Sequence, residues 1–175
     1  MSTRTQDYEE FARARTPALL RSAWLLCGDT HLAEDLVQDT LAKVYVRWHA
    51  PFRSPIETPV AYAQTTLTRT FLSSRRRRSS TEQPYADLPD RPLADGSDAT
   101  ATRLALQDAL AGLAPADRAV LVLRYLDDLS VEETADRMGV SPGAVRSRSP
   151  RAVARLRPLL DASLIVTSER GTTHG

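Results

Sequence analysis

The chain has 175 residues, 42% of them hydrophobic, and a formal net charge of +1 from 23 basic and 22 acidic side chains. That length suits one domain or two small ones. A lone cysteine, Cys27, excludes an intrachain disulfide and a cysteine-built zinc site, and His31, His49 and His174 lack metal-ligand spacing, so no cofactor is expected. No apolar run approaches a membrane span, and the start MSTRTQDYEEFARAR is too polar for a secretory signal, so a cytoplasmic, reduced setting is expected.

Helical periodicity runs along the chain without convincing strand alternation, which predicts an all-α fold. About Tyr8 to Cys27 reads as one amphipathic helix burying Phe11, Leu19, Leu20, Ala23, Trp24 and Leu26. Gly28 and Asp29 break it, and a second helix begins near Leu32. Its inward stripe is Ala33, Leu36, Val37, Leu41, Val44, Tyr45 and Trp48. The opposite face shows Asp35, Gln38, Asp39 and Lys43, either a solvated edge or a surface for a basic or helical partner.

Pro51, Pro55 and Pro59 then hold a loop in extended geometry. A third helix, about Thr58 to Arg75, turns Val60, Ala63, Leu67, Phe71 and Leu72 inward and ends in Arg75-Arg76-Arg77-Arg78. Around it lie aromatics (Tyr45, Trp48, Phe52, Tyr62) and polar side chains (Gln64, Thr65, Thr66, Thr68). This combination with a basic exit suits single-stranded DNA, whose phosphates need neutralising and whose bases stack or are read at their edges. Tyr45 and Trp48 share the buried stripe and read as core; Phe52, in the loop, is the better stacking candidate. Alone, the arginine run reads as a solvated helix end or a loose phosphate contact.

Charge is segregated beyond this point. Arg69 to Ser80 holds five arginines and no acid, whereas Thr81 to Asp98 holds five acids against Arg91. Residues 79–101 read as a flexible linker, its ends roughly 25 Å apart as a coil. A second module, 102–161, opens with a helix near Thr102 to Leu113, and Pro115 starts another through Leu126. Its small core would use Leu104, Leu106, Leu110, Leu113, Val120, Leu121, Leu123, Tyr125, Leu126 and Leu129. Each module, 7–78 and 102–161, is small enough to be marginal alone.

In VEETADRMGVSPGAVRSR, Val131 to Arg148, the residues Ala135, Gly139 and Val145 have helix-turn-helix spacing. A small residue lets the helices cross, a glycine makes the turn and an apolar residue closes the core. Ser141 suits the N-cap and Pro142 the first helical position. The second helix carries Arg146, Arg148, Arg151, Arg155 and Arg157 with no acid between Ser141 and Leu160, a composition suited to the major groove. Two DNA-contacting modules on one tether imply recognition of a split site. Cys27, on an apolar helix, reads as packing, and the tail 162–175 as disordered.

AEDLVQDTLAKVYVRW and LSVEETADRMGVSPGAVRSR, in this order and separation, resemble regions two and four of the extracytoplasmic-function group of bacterial sigma factors. The LLCGDTHLAEDLVQDTLAKVYVRW wording resembles actinobacterial members. The resemblance covers about Asp7 to Leu160. It implies a non-enzymatic protein, monomeric when free, that binds core RNA polymerase and directs it to promoters, often under an anti-sigma partner. On this likeness Asp35, Gln38, Asp39 and Lys43 would meet the clamp helices of the largest polymerase subunit. The His49 to Thr58 loop and the Pro59 to Arg78 helix, with Phe52, Tyr62, Gln64, Thr65, Thr68, Arg69 and Arg75 to Arg78, would capture the melted minus-ten element. Ser141, Ala144, Arg146, Ser147, Arg148 and Arg151 would read or anchor the minus-thirty-five element, and the Leu129 to Met138 helix would help dock on the polymerase flap.

Ser149-Pro150 departs from the family, which has an apolar and a helix-compatible residue there. Proline inside a helix costs about 3 kcal/mol, whereas Ser-Pro is a good start pair. The expected recognition helix is therefore short, Pro142 to about Arg148, and kinked or restarted at Pro150. Two rival readings remain open. A dimeric helix-turn-helix repressor or activator would bind a palindrome unaided, and a sigma-like adaptor would bind polymerase without opening DNA.

Overall fold

The computed structural model describes residues 3–80 and 98–171, and every regular element among them is a helix. Leu19, Ala23 and Leu26 share one face of α1 (Thr3–Cys27) and are buried, and their packing carries the helix through Pro17. Gly28 ends α1 with φ +76°, a backbone that favours glycine, and its N–H bonds Trp24 O at 2.9 Å. Asp29 then caps α2 (Thr30–Trp48), its Oδ1 accepting from Leu32 N at 2.8 Å. Ala33, Leu36, Val37 and Val44 of the expected stripe are buried and Leu41 and Trp48 half-buried. Tyr45 is instead exposed: it lies at the rim, edge-on to Tyr8 at 5.1 Å. α3 (Pro59–Ser80) buries Ala63, Leu67 and Phe71, at i, i+4 and i+8, against α1 and α2. It runs past Arg75, so the arginine run belongs to its last turns.

α4 (Asp98–Ala111) packs on α7 (Pro142–Gly171) through Ala105, Ala109 and Leu110. α5 (Pro115–Leu121) is followed by a π-helical segment, Val122–Leu126. From Asp117 to Leu123 every residue is buried, so this stretch has neighbours on all sides, namely α1, α3 and α7. Tyr125 and Leu126, expected in the core, are exposed, because the widened π turn ends the buried run at Leu123. α6 (Val131–Met138) starts with a capping box: Glu133 N bonds Ser130 Oγ at 3.1 Å and Ser130 N bonds Glu133 Oε2 at 2.8 Å.

The buried apolar cluster is continuous from Leu19 in α1 to Ala152 in α7. α6 packs on α3, α5 on α1 and α3, and α4 on α1. The two expected modules thus share one core, which answers the marginal size of each alone. Most of the expected linker, residues 81–97, lies outside the described residues, as do residues 172–175 of the tail. The rest of the tail departs from expectation: α7 continues as helix to Gly171.

Candidate nucleic-acid and polymerase interface

The helix-turn-helix forms as its spacing predicts. Ala135 and Val145 are fully buried, and Gly139 adopts φ +69° to close α6 while Val140 N bonds Ala135 O at 3.0 Å. Ser141 Oγ accepts from Ala144 N at 3.2 Å, the N-cap expected for the helix that Pro142 opens. Ser141, Arg146, Ser147 and Arg151 are exposed and Ala144 is half-buried. Arg146 pairs with Glu132 of α6 at 2.7 Å, both exposed, and Arg151 folds back on Ser147, Nε to the carbonyl at 2.9 Å and Nη2 to Oγ at 3.0 Å.

The expected recognition helix neither stops at Arg148 nor restarts at Pro150; α7 is continuous through Arg157, and the expected short helix and restart are overturned. Pro150 is exposed, so its ring meets no packed neighbour, and the missing amide deprives only the Arg146 carbonyl. The flanking turns are held by buried Val145, Ser149 and Ala152, with Ser149 Oγ donating to Val145 O at 2.8 Å. Tertiary packing outweighs the local cost.

Arg148 is placed differently from the other candidates. It donates to Asp117 of α5 at 2.9 Å, and Arg155 donates to the other oxygen of the same carboxylate. Sequence reasoning missed Asp117, which in PADR looks like an ordinary first-turn acid; nothing local links it to a residue 31 positions later.

On α2, Asp35, Gln38, Asp39 and Lys43 are exposed as expected, and Lys43 Nζ donates to Thr70 Oγ1 at 2.8 Å. Asp35 and Asp39 line a cleft of about 220 Å³ together with Arg75, Arg77 and Arg78, so the acidic face and the basic helix end are neighbours. Arg75 is the inward member of its run, donating to Cys27 O at 3.3 Å and lying over the Phe71 ring at 5.5 Å; Arg76, Arg77 and Arg78 are exposed. A second cleft, about 560 Å³, is lined by Lys43, Val46, Arg47, Arg53 and Tyr62, an apolar floor with a cationic rim. Phe52 stands fully exposed on the adjoining loop with φ +62°, a strained backbone for a bulky residue.

The face of α3 expected to read DNA is not free. Thr68 is buried, its hydroxyl bonded to Gln64 O at 3.0 Å. Arg69 caps the end of α6, Nη2 to Asp136 O at 2.7 Å and Nε to Arg137 O at 3.3 Å, and Arg137 donates to Gln64 Oε1. Tyr62 and Thr65 are half-buried. The structure therefore ties Gln64 and Arg69 to α6 of the helix-turn-helix, buries Thr68 within α3 and leaves Phe52 apart.

Arg118 was also missed. It is buried without a carboxylate, donating to Leu26 O at the end of α1, to Ala111 O at 2.9 Å and to Leu113 O at 3.1 Å. Burial pushes its pKa down to about 10, and burial likewise pushes the Cys27 thiol up to about 11, away from a reactive thiolate. Among the described residues no His, Cys, Asp and Glu group could hold a metal, and no helix is long and apolar enough to cross a membrane.

Residues 11–81 match the Sigma-70 region 2 family and residues 103–156 match Sigma-70, region 4. The chain is 40% identical over 156 residues to the RNA polymerase sigma-E factor of Streptomyces coelicolor, covering 89% of this chain and 87% of that one. It is 32% identical to the extracytoplasmic-function sigma factor SigL of Mycobacterium tuberculosis, over 86% and 84% of the two chains. Among solved structures, RpoE of Bartonella quintana in complex with the anti-sigma factor NepR superposes with TM-score 0.66 at 28% identity, covering 89% and 98%. CnrH in complex with the cytosolic domain of CnrY superposes with TM-score 0.61 at 26% identity, covering 90% of each chain. With both sigma regions matched in order, on helices α1–α3 and α4–α7, the chain belongs to the sigma-70 family as an extracytoplasmic-function sigma factor that directs promoter-specific transcription.

Proposed function

We propose that this sigma factor engages core RNA polymerase through the exposed α2 face of Asp35, Gln38, Asp39 and Lys43, meeting the clamp helices of the largest subunit. Helix α6 and its neighbours dock on the flap. The α2–α3 loop with Phe52, the Tyr62 cleft and α3 take the melted minus-ten strand, while the α7 start, through Ser141, Ala144, Arg146 and Ser147, reads the minus-thirty-five element. One observation carries this division of labour: a capped recognition helix with exposed arginines shares a core with a helix whose loop presents an unpaired aromatic beside a cationic cleft.

The factor supplies no bond chemistry and acts in the cytoplasm, monomeric when free. Opening DNA costs a few kcal/mol per unstacked step, offset by bases held on the protein. Gln64, Thr68 and Arg69 join the minus-ten contacts once α6 leaves α3, since Gln64 and Arg69 are bonded to α6 here. A protein inhibitor of the kind bound to RpoE and CnrH fits a chain whose two regions already lie together.

The test is transcription in vitro with purified core polymerase and a promoter library. Initiation at promoters sharing upstream and downstream elements supports the reading. A chain that dimerises, binds a palindrome alone and confers no start-site selection overturns it, and one that binds polymerase without opening DNA leaves only the adaptor.

A further inference from the structure

We infer that Asp117 is a positioning residue for upstream-element recognition, and that Arg148 and Arg155 serve its carboxylate and not the bases. This rests on the reading of α7 as the upstream-element helix. Asp117, in the seven-residue helix α5, keeps a side chain only 2% exposed. A carboxylate removed from water in this way persists only with charged partners on its oxygens. It has two, and both come from α7: Arg148 Nη1 on Oδ1 at 2.9 Å and Arg155 Nη1 on Oδ2.

The spacing makes this a register device. Arg148 and Arg155 are seven residues apart, two turns along one side of α7, and Ala152, fully buried, lies between them on that side. Sliding α7 by one residue displaces these groups by about 1.5 Å along the axis and swings them by about 100°, so only one seating satisfies both oxygens. The need is local. Pro150 removes the amide that would bond the Arg146 carbonyl, which weakens α7 within the turn that carries Arg146, Ser147 and Arg148. Asp117 ties that turn, through Arg148, to the turn holding Arg155, where Pro158 removes a second amide, from the Ala154 carbonyl. Among the candidates beyond the helix start, Arg146, Ser147 and Arg151 stay exposed and able to face DNA. Their aim depends on α7 being held in one rotation about its axis, because a bidentate contact to a base edge tolerates little error.

The experiment uses holoenzyme assembled from core polymerase and the full chain, assayed on promoters in which each upstream base pair is varied in turn, with affinity for core enzyme measured in parallel. Asp117→Asn is expected to lower occupancy about tenfold on every element, an effect of the size seen for coupled groups, with the order of preference among elements kept and core affinity unchanged. Arg148→Lys keeps a cation for Asp117 but loses the planar fork, so its order of preference is expected to match the parent chain. Arg146→Lys is expected to reorder it. If Arg148→Lys reorders preference as Arg146→Lys does, Arg148 is a reader and the inference falls. The same follows if folded Asp117→Asn matches the parent on all elements, or loses core affinity in proportion. Should Asp117→Asn not fold, Arg148→Lys decides. A parent chain indifferent to every upstream base pair would instead remove the reading of α7 on which this rests.

Discussion

Arg146 and Arg148 lie two residues apart in a sequence that presents them alike, yet one pairs with an exposed glutamate and the other with a buried aspartate. The exposed pair is screened by water and worth little, so Glu132→Ala is expected to move stability by less than about 0.5 kcal/mol in a denaturant titration. Replacing Arg146 by alanine is expected to cost about 1–3 kcal/mol of discrimination at one upstream base pair, read from competition among promoter variants. Cys27 offers a pH test at the same scale. Its thiol is raised by burial from 9.0 to about 11, so the folded chain holds the proton more tightly. Its contribution to stability is complete below pH 9.0 and is lost as pH rises toward 11, the window set by those two values. Stability of the parent chain is expected to fall between about pH 9 and 10 more steeply than that of Cys27→Ala; parallel curves would show an accessible thiol.

Helices here begin and end where local chemistry says, and they persist where packing overrules it. The Asp29 cap, the Gly28 and Gly139 stops and the Ser141-Pro142 start are all readable in the chain. The Ser130–Glu133 capping box is equally readable as S-x-x-E, although the helix-turn-helix spacing alone does not call on it. Ser130→Ala is expected to cost about 1 kcal/mol of stability. The Glu133 carboxyl, lowered by its bonds from the Ser130 backbone and side chain, makes a contribution present above the ordinary carboxylate range and lost as pH falls through its lower value. The break expected at Pro150 does not form because propensity is a local sum, whereas α7 is held from outside by α4, α5 and α6. Pro150→Ala restores the amide to the Arg146 carbonyl and is expected to raise stability by about 1–3 kcal/mol, read as an increase in Tm.

Across the whole molecule, the junction between the two regions is polar where it is specific. Arg118 closes the carbonyl ends of α1 and α4, Arg69 closes that of α6, and Ser22 Oγ donates to Asp127 Oδ1 at 3.3 Å. Helix ends concentrate partial negative charge, so a guanidinium inserted there satisfies several carbonyls at once. Arg118→Met strands those carbonyls and is expected to destabilise the chain by about 2–4 kcal/mol. The parent chain, with its shared core, is expected to melt in one transition and Arg118→Met in two, which calorimetry would resolve. Charge at this scale also sets the response to salt. Neutralising Arg76, Arg77 and Arg78 together is expected to flatten the logarithmic salt dependence of promoter binding by about 0.9 for each phosphate that the chain no longer neutralises. An unchanged slope would mean that this run never reaches DNA.

Periodicity, caps and turn glycines were sufficient to predict the helices and the helix-turn-helix of Ala135, Gly139 and Val145, because each follows from interactions within a few residues; the resemblance to a sigma factor came from the wording of two motifs and their order. Tertiary structure alone decided which charged groups are free. Gln64 meets Arg137 across 73 positions and Asp117 meets Arg148 across 31. It also decided that Tyr125 lies outside and that α7 passes through Pro150. A side chain's spacing along a helix says which face it shares, but the partner waiting on that face comes from another helix, and only the fold brings the two together.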